Sequence, residues 1–170
     1  MRSLLRILAI GAIALSVQAA PVPDDEGIEV NVDRRGAKII VDMQFSIAAT
    51  PLEAWPVRTD YEHIAAFMSN LKSSVVLRRN DNTLEVEQSG EAKRGLLAYP
   101  FETVRAVELV PFEEIRSTLV KGKFKSYSFT AGIVDDGTAV SVIKHGEYEA
   151  TTWVPPIVGP ALIEAETRKQ

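Results

Sequence analysis

The chain has 170 residues, a formal net charge of −4 and no cysteine. This length favours a single domain, and the acidic balance disfavours nucleic acid as a partner because phosphate binding needs a basic surface. Without cysteine the fold has no disulfides and depends on its core, which a chain of this size is long enough to build. The composition therefore predicts one acidic domain that does not bind nucleic acid.

The first 19 residues have the pattern of a secretory signal peptide. Two arginines precede a short apolar run over residues 7–17, and the residues that follow suit cleavage after Ala19. The alternative is an uncleaved membrane anchor, but the run is shorter than the ~20 residues that a spanning helix needs. We therefore expect a secreted or periplasmic protein.

Cleavage would leave 17 basic and 23 acidic residues, a net charge of −6. Residues 20–27 are rich in proline and acidic side chains, and they predict a flexible lead-in. The domain itself would then cover residues 28–170.

Most of this domain has the alternation that is typical of β-strands. A short strand is predicted at 28–32, and the main predicted strands are 38–48, 74–79, 83–91, 99–110, 113–120, 127–134 and 138–149. Short turns separate most of them, and Asp135-Asp136-Gly137 is a strong hairpin signal. We expect a curved antiparallel sheet of about six to seven strands.

Residues 50–71 are the one strongly helical stretch before the C-terminus. The sequence from Thr50 to Glu53 predicts a capping box, and Pro56 should kink the first helix. Asp60 can cap a second short helix. The apolar face of that helix would contain Ile64, Phe67, Met68 and Leu71. A last helix is predicted at 160–170.

Motifs of catalysis and metal binding are missing. His63 and His145 lie far apart in the sequence, so we expect no zinc site and no cofactor. His63 is expected at the surface, while the direction of His145, beside a possible bulge at Gly146, stays open. Residues 121–125 (KGKFK) form either a solvated loop or a small patch for anions or a membrane surface.

Five segments in order resemble one superfamily. They are PLEAWPVRTDYEHIAAFMSNL, LEVEQSG, VKGKFKSYSFTAGI, DDGTAVS and VPPIVGP. Together they resemble the START-like (SRPBCC, helix-grip) superfamily, and more narrowly they are similar to its polyketide cyclase/dehydrase and coenzyme Q-binding group. The resemblance covers residues 37–170.

The resemblance implies an α+β helix-grip fold. In that fold a curved antiparallel sheet grips a C-terminal helix, two short helices close one end, and an apolar cavity lies between. Members bind lipids, quinones, polyketides or other hydrophobic molecules, and a minority are enzymes. The expected function is therefore binding, and with it transport, of a hydrophobic small molecule by a monomer that makes at most transient contact with membranes. The alternative is a cyclase-, dehydrase- or hydrolase-type enzyme, and a third reading is an interaction domain.

Three features depart from the superfamily pattern. Pro56 interrupts the first helix, and Ala131 stands where relatives carry a tryptophan. The chain ends at Gln170, so the gripping helix would be shorter than usual, either because the record is truncated or because the cavity mouth is less covered. On the strand after Gly122, we expect one inward face made of Tyr127, Phe129, Ala131 and Ile133.

The expected ligand-binding residues come from the helical stretch, the middle strands and the end of the chain. They are Tyr61, Phe67, Gln88, Phe101, Arg105, Phe124, Tyr127, Phe129 and Trp153. For each aromatic residue, plain core packing is an equal alternative to lining a cavity.

The polar residues in this set carry their own alternatives. Gln88 shares an apolar face, so a ligand, a water or a neighbouring side chain must satisfy it. Arg105 is either inward and paired or at the surface with Glu87 or Glu102. If the protein is an enzyme, His145, Tyr127 and Arg105 are the acid–base candidates, but no nucleophile–base pair is visible and the catalytic residues are unknown.

Overall fold

The computed structural model describes residues 27–94 and 97–151. Its strands are β1 (Glu29–Arg35), β2 (Lys38–Ile47), β3 (Leu71–Asn80), β4 (Thr83–Arg94), β5 (Leu97–Val110), β6 (Glu114–Gly122), β7 (Phe124–Asp135) and β8 (Val140–Ala150). All neighbouring strands are antiparallel, and the order across the sheet is β1-β2-β8-β7-β6-β5-β4-β3. The predicted antiparallel meander is therefore confirmed.

The described part of the sheet has eight strands rather than the predicted six to seven. The sequence predicts only a short strand at 28–32, whereas β1 pairs with β2 along its whole length, from Glu29 opposite Gln44 to Arg35 opposite Lys38. The turn between them uses Gly36 at φ +65°, a conformation that costs glycine little. A complete hairpin at the edge extends the sheet by one strand.

One face of the sheet is apolar because side chains alternate along each strand. On β2, Ile39, Val41 and Met43 are buried, while their neighbours are more exposed. Residues paired across antiparallel strands share a face, so the register carries this face from Val142 on β8 through to Val86 on β4. We call it the inner face.

The predicted first helix is present as α1 (Pro51–Thr59), with Pro56 inside it. Its capping box is complete: the Glu53 amide donates to the Thr50 hydroxyl, and the Thr50 amide donates 2.9 Å to the Glu53 carboxylate. These bonds lower the pKa of Glu53 below its usual value. Ala54 is buried against the sheet, and the Trp55 ring lies 5.6 Å from that of Phe112. The helix thereby closes one end of the inner face.

The predicted second helix is wrong, because only a 3-10 turn at Ile64–Ala66 forms. Asp60 does act at this turn, where its carboxylate accepts from the His63 amide and lies 2.8 Å from the His63 ring Nδ1. Leu71 belongs instead to β3, where it pairs with Gly90. The last residue of the predicted helix therefore forms part of strand β3 instead.

Several predictions concern residues outside the described ranges. The signal peptide and most of the lead-in lie in residues 1–26, and the last helix and Trp153 lie in residues 152–170. Within the described ranges, no helix is long and apolar enough to cross a membrane.

Candidate functional site

The inner face has a tightly packed part beside α1, which we call the α1 end. One group of buried side chains contains Tyr61, Leu84, Val86, Val107, Leu109, Ile115 and Ala131, with Trp55 and Val76 packed on it. A second group contains Ala54, Val140 and Val142, with Phe45, Ile47 and Ile133 around it. These side chains account for much of the core of the described residues.

The opposite part of the inner face carries an aromatic cluster, Phe124, Tyr127, Phe129 and Tyr148. Neighbouring rings lie 4.6–6.4 Å apart between centroids, and Phe124 meets Tyr148 edge to face at 5.4 Å. Such contacts are favourable for aromatic pairs. All four side chains are half-buried, unlike the core at the α1 end. The rings therefore stabilise one another and still present apolar surface.

Two glycines let rings lie directly on the strands. Gly146 is opposite Phe129, and a Cβ at Gly146 would come within 2.2 Å of that ring. A Cβ at Gly90 would come within 2.6 Å of the Phe101 ring. The register runs without a break through His145 and Gly146, so the possible bulge at this point is wrong. Glycine here serves close approach of a ring.

A polar network crosses the inner face from β3 to β7. The Gln88 side-chain amide nitrogen donates a hydrogen bond of 3.0 Å to the Ser74 hydroxyl, and the Gln88 side-chain oxygen accepts one from Arg105. Arg105 also donates to the Ser117 hydroxyl at 3.3 Å and the Tyr127 hydroxyl at 2.9 Å. Gln88 thus has structural partners. Of the two alternatives for Arg105, the structure shows the inward, paired one, and the surface position beside Glu87 or Glu102 is excluded.

Lys144 lies in the middle of the inner face on β8, half-buried between Val142 and Gly146. Its ammonium is 5.4 Å from the centre of the Phe129 ring. Burial, together with the positive charges of Arg105 and Arg58, lowers its pKa to about 7. This lysine therefore exchanges its proton near neutral pH.

Arg58 reaches over the inner face from the last turn of α1. Its guanidinium lies 5.8 Å from the centre of the Phe45 ring, and burial lowers its pKa from the ordinary value. Tyr61, close to both arginines, has its pKa raised by burial. Burial also raises the pKa of Tyr148, so both phenols stay neutral in the physiological range. The face between the α1 end and the aromatic cluster therefore carries the positive charges of Arg58, Arg105 and Lys144, which we call the cationic cluster.

A family model described as "Polyketide cyclase / dehydrase and lipid transport" matches residues 47–146, more than half of the chain. The chain belongs to this family. Among curated protein sequences, none matches the chain.

Solved structures with the same fold have low sequence identity to this family member. A START superfamily protein from Mycobacterium smegmatis is 16% identical with a TM-score of 0.65, covering 76% of this chain and 90% of its own. A STAR-related lipid transfer protein from Xanthomonas axonopodis is 14% identical with a TM-score of 0.69, and the match covers 85% of this chain and 89% of that protein. The Zhui aromatase/cyclase from Streptomyces sp. R1128 is 12% identical with a TM-score of 0.64, and the match covers 78% of this chain and 86% of that protein. These similarities confirm the START-like fold.

Most of the residues expected to bind a ligand in this family member share the inner face. Those gathered there are Tyr61, Gln88, Phe101, Arg105, Phe124, Tyr127 and Phe129. Phe67 is 75% exposed, so its expected inward direction is wrong; it follows the short 3-10 turn rather than a helix packed on the sheet. Trp153 lies outside the described residues. Whether these side chains bind a ligand stays a prediction.

Three inward residues were missed by the sequence analysis: Arg58, Lys144 and Tyr148. The alternation from Val140 and Val142 continues to Lys144 and Tyr148, so the period of β8 predicts their direction. Arg58 lies four residues after the buried Ala54, on the same helical face. The sequence analysis did not assign these residues to the inner face because their side chains end in polar groups, although their spacing fits it.

The histidines and the basic segment lie on the outside. His145 is exposed and pairs through Nδ1 with Asp42 at 2.6 Å, which removes it from the candidates for chemistry on the inner face. His63 is exposed as predicted. In the segment 121–125, Lys125 pairs with Glu149 at 2.6 Å. Among the residues that the structure describes, no group of acidic and histidine side chains is placed to hold a metal ion.

A surface pocket of about 360 Å³ lies at the α1 end, and no residue of the aromatic cluster lines it. It is formed where the start of α1 meets the β7–β8 turn, and Thr50, Leu52, Phe112 and Thr138 are among its lining residues. None of the predicted ligand residues within the described ranges lines it. The aromatic and cationic clusters, rather than this pocket, therefore form the candidate site.

Proposed function

We propose that the chain binds a hydrophobic small molecule against the aromatic cluster of the inner face. The observation that carries this proposal is the group of half-buried rings, Phe124, Tyr127, Phe129 and Tyr148, on the same face as a fully packed core. Covering apolar surface yields about 25 cal/mol per Å², so rings that remain partly exposed can drive association. The family assignment supports the same ligand class.

The polar residues beside the rings would orient the ligand. Gln88 and Arg105 are held by bonds to Ser74, Ser117 and Tyr127. A few fixed polar groups within an apolar site are the usual arrangement of small-molecule binding sites. The affinity is therefore assigned to the rings and the orientation to the network.

Titration of the full chain with the apolar fluorophore phenylnaphthylamine tests this proposal. Phe129→Ala should weaken binding about tenfold to a hundredfold, because burial of a large apolar side chain contributes about 1.5–3 kcal/mol. Val134→Ala is the matched control, since Val134 lies on the same strand but is 49% exposed on the other face. Unchanged thermal unfolding of both variants would show that the fold is retained.

Two results would contradict this function. Either wild type fails to bind apolar probes, or Phe129→Ala and Val134→Ala bind as tightly as wild type. Native mass spectrometry of the protein purified from cells gives an independent measurement. A co-purified hydrophobic molecule that is returned unchanged after incubation supports carriage.

A cyclase- or dehydrase-type enzyme is the second candidate, and Lys144 favours it. An amine with a pKa of about 7 on the inner face suits general acid–base catalysis at neutral pH. The same incubation tests this activity, since loss of water from the bound compound would change its mass. Lys144→Met should then stop turnover while the compound still binds; turnover by that variant would remove the lysine from the mechanism.

We also propose that the protein acts as an exported monomer, with cleavage after Ala19 and at most transient membrane contact. The basic start and short apolar run of residues 1–19 support export. Expression of the full chain in a bacterial host, followed by N-terminal sequencing of the periplasmic fraction, should find Ala20 first. An intact N-terminus in the cytoplasm or membrane would contradict export, and light scattering measures the oligomeric state.

A further inference from the structure

The cationic cluster places positive charge beside apolar rings. Arg58 enters from α1, Arg105 from β5 and Lys144 from β8. Both arginines are close enough to Lys144 for their charges to lower its pKa. The two guanidinium charges lose hydration on this half-buried surface, and a negative partner would offset that cost.

The partners of Arg105 in the structure are all neutral. Its two terminal nitrogens donate to Gln88, Ser117 and Tyr127, and its Nε is buried without a hydrogen-bond partner among the described residues. The Nε of Arg58 is likewise buried without one. Buried polar groups are normally satisfied, so two orphaned guanidinium donors on one face indicate a missing acceptor.

Carboxylates of the described strands do not supply that acceptor. Glu85 and Glu87 alternate with the inward residues of β4 and therefore point to the outer face. Glu147 and Glu149 do the same on β8, where they pair with Lys38 and Lys125. Asp135 has inward parity, but it lies at the exposed end of β7 beside α1. The inner face of the described sheet is thus positive.

We propose that the ligand is an amphipathic carboxylate whose head group binds Arg105 and Arg58 and whose apolar tail lies on the aromatic cluster. This inference rests on the proposed function and names the substrate class of the same site. Guanidinium groups bind carboxylates through charge-assisted hydrogen bonds. The two orphaned Nε donors match the two oxygens of one carboxylate in number.

Lys144 makes the same site sensitive to pH. Arg58 on α1, Arg105 on β5, Tyr127 on β7 and Tyr148 on β8 face this part of the sheet. Tyr148, with its raised pKa, stays neutral through the range in which Lys144 loses its proton. Carboxylate binding should therefore weaken as the pH rises through about 7, and bound carboxylate should shift that transition upward.

Isothermal titration calorimetry of the full chain with dodecanoate and dodecanol tests the head group. The two probes share a tail and differ in charge. Wild type should bind dodecanoate about tenfold to a hundredfold more tightly at about pH 6, as charge-assisted hydrogen bonds predict. Arg105→Gln should remove most of this preference. Arg78→Gln, which removes an exposed charge on β3, should retain it.

Lys144→Met provides a second variant in case Arg105→Gln disturbs the polar network. Dodecanoate affinity of wild type should fall between about pH 6 and about pH 9, because Lys144 loses its proton in this range. The carboxylate of the probe remains ionised throughout, so the probe itself does not cause the change. In Lys144→Met that dependence should be flat. A dependence that is unchanged in this variant would remove Lys144 from the head-group site.

The outcomes separate this inference from the function on which it rests. Equal affinity for dodecanoate and dodecanol would overturn the carboxylate and leave hydrophobic binding in place. A preference for the acid that survives both Arg105→Gln and Lys144→Met would place the head group elsewhere, which also overturns the inference. If neither probe binds, the inference and the proposed function both fail.

Discussion

The α1 end and the aromatic cluster lie on the same face of one sheet but differ in how deeply their side chains are buried. Leu84, Val86 and Val107 are each at most 1% exposed, whereas Tyr127 and Phe129 remain half-buried. The first region converts apolar area into stability. The second keeps apolar area and positive charge accessible on the same sheet, which is what a binding site requires. We therefore expect mutations in the two regions to separate stability from binding.

The largest stability effect is expected for Leu84→Ala at the α1 end. Truncating a fully buried leucine removes transfer free energy and leaves a cavity, so the free energy of unfolding should fall by about 3 kcal/mol. Urea unfolding measures this loss. Affinity for phenylnaphthylamine, measured where the variant is folded, should change less than twofold, within the error of such a comparison. If Leu84→Ala also weakens binding of the probe, the α1 end and the aromatic cluster do not act as separate regions.

A smaller loss of about 2 kcal/mol is expected for Gly146→Ala, which overpacks the aromatic end. The new methyl group would meet the Phe129 ring at 2.2 Å and displace it. Both unfolding and probe binding should therefore change. Gly132→Ala is the control, because its Cβ would approach no atom closer than 3.8 Å. If both alanine variants behave alike, close approach of the Phe129 ring is not the cause.

The smallest effect, about 1 kcal/mol, is expected for Thr50→Ala, which breaks the capping box of α1. The loss of stability should appear in urea unfolding. Binding of phenylnaphthylamine should be unchanged, since α1 begins at the opposite end of the inner face from the aromatic cluster. Thr50→Ser keeps the hydroxyl and should restore most of the stability. Loss of binding without loss of stability would show that α1 controls access to the aromatic cluster.

Local patterns predicted much of the sheet. The alternation from Ile39 to Ile47 set the inner face of β2, and Asp135-Asp136-Gly137 marked the last hairpin. That turn forms as its chemistry requires: the Asp136 carboxylate accepts from the Thr138 and Ala139 amides, and Gly137 has φ +88°. These features depend on neighbours in the sequence, which is why a sequence reveals them.

Features that depend on distant partners were harder to predict. The direction of Arg105 is set by Gln88, Ser117 and Tyr127, which come from three other strands. Leu71 joins β3 because Gly90 pairs with it, and helical spacing alone could not show that competition. The candidate site combines such long-range choices, so the sequence supplied most of its members and not their arrangement.

The most direct measurement is an NMR experiment on the full chain with bound dodecanoate. Intermolecular nuclear Overhauser effects report which protons of the protein lie against the alkyl tail. Contacts to the rings of Tyr127, Phe129 and Tyr148, without contacts to the Leu84 and Val107 methyl groups, are the predicted result. Contacts to the α1-end methyl groups, or to neither region, would contradict the assignment of binding to the aromatic cluster.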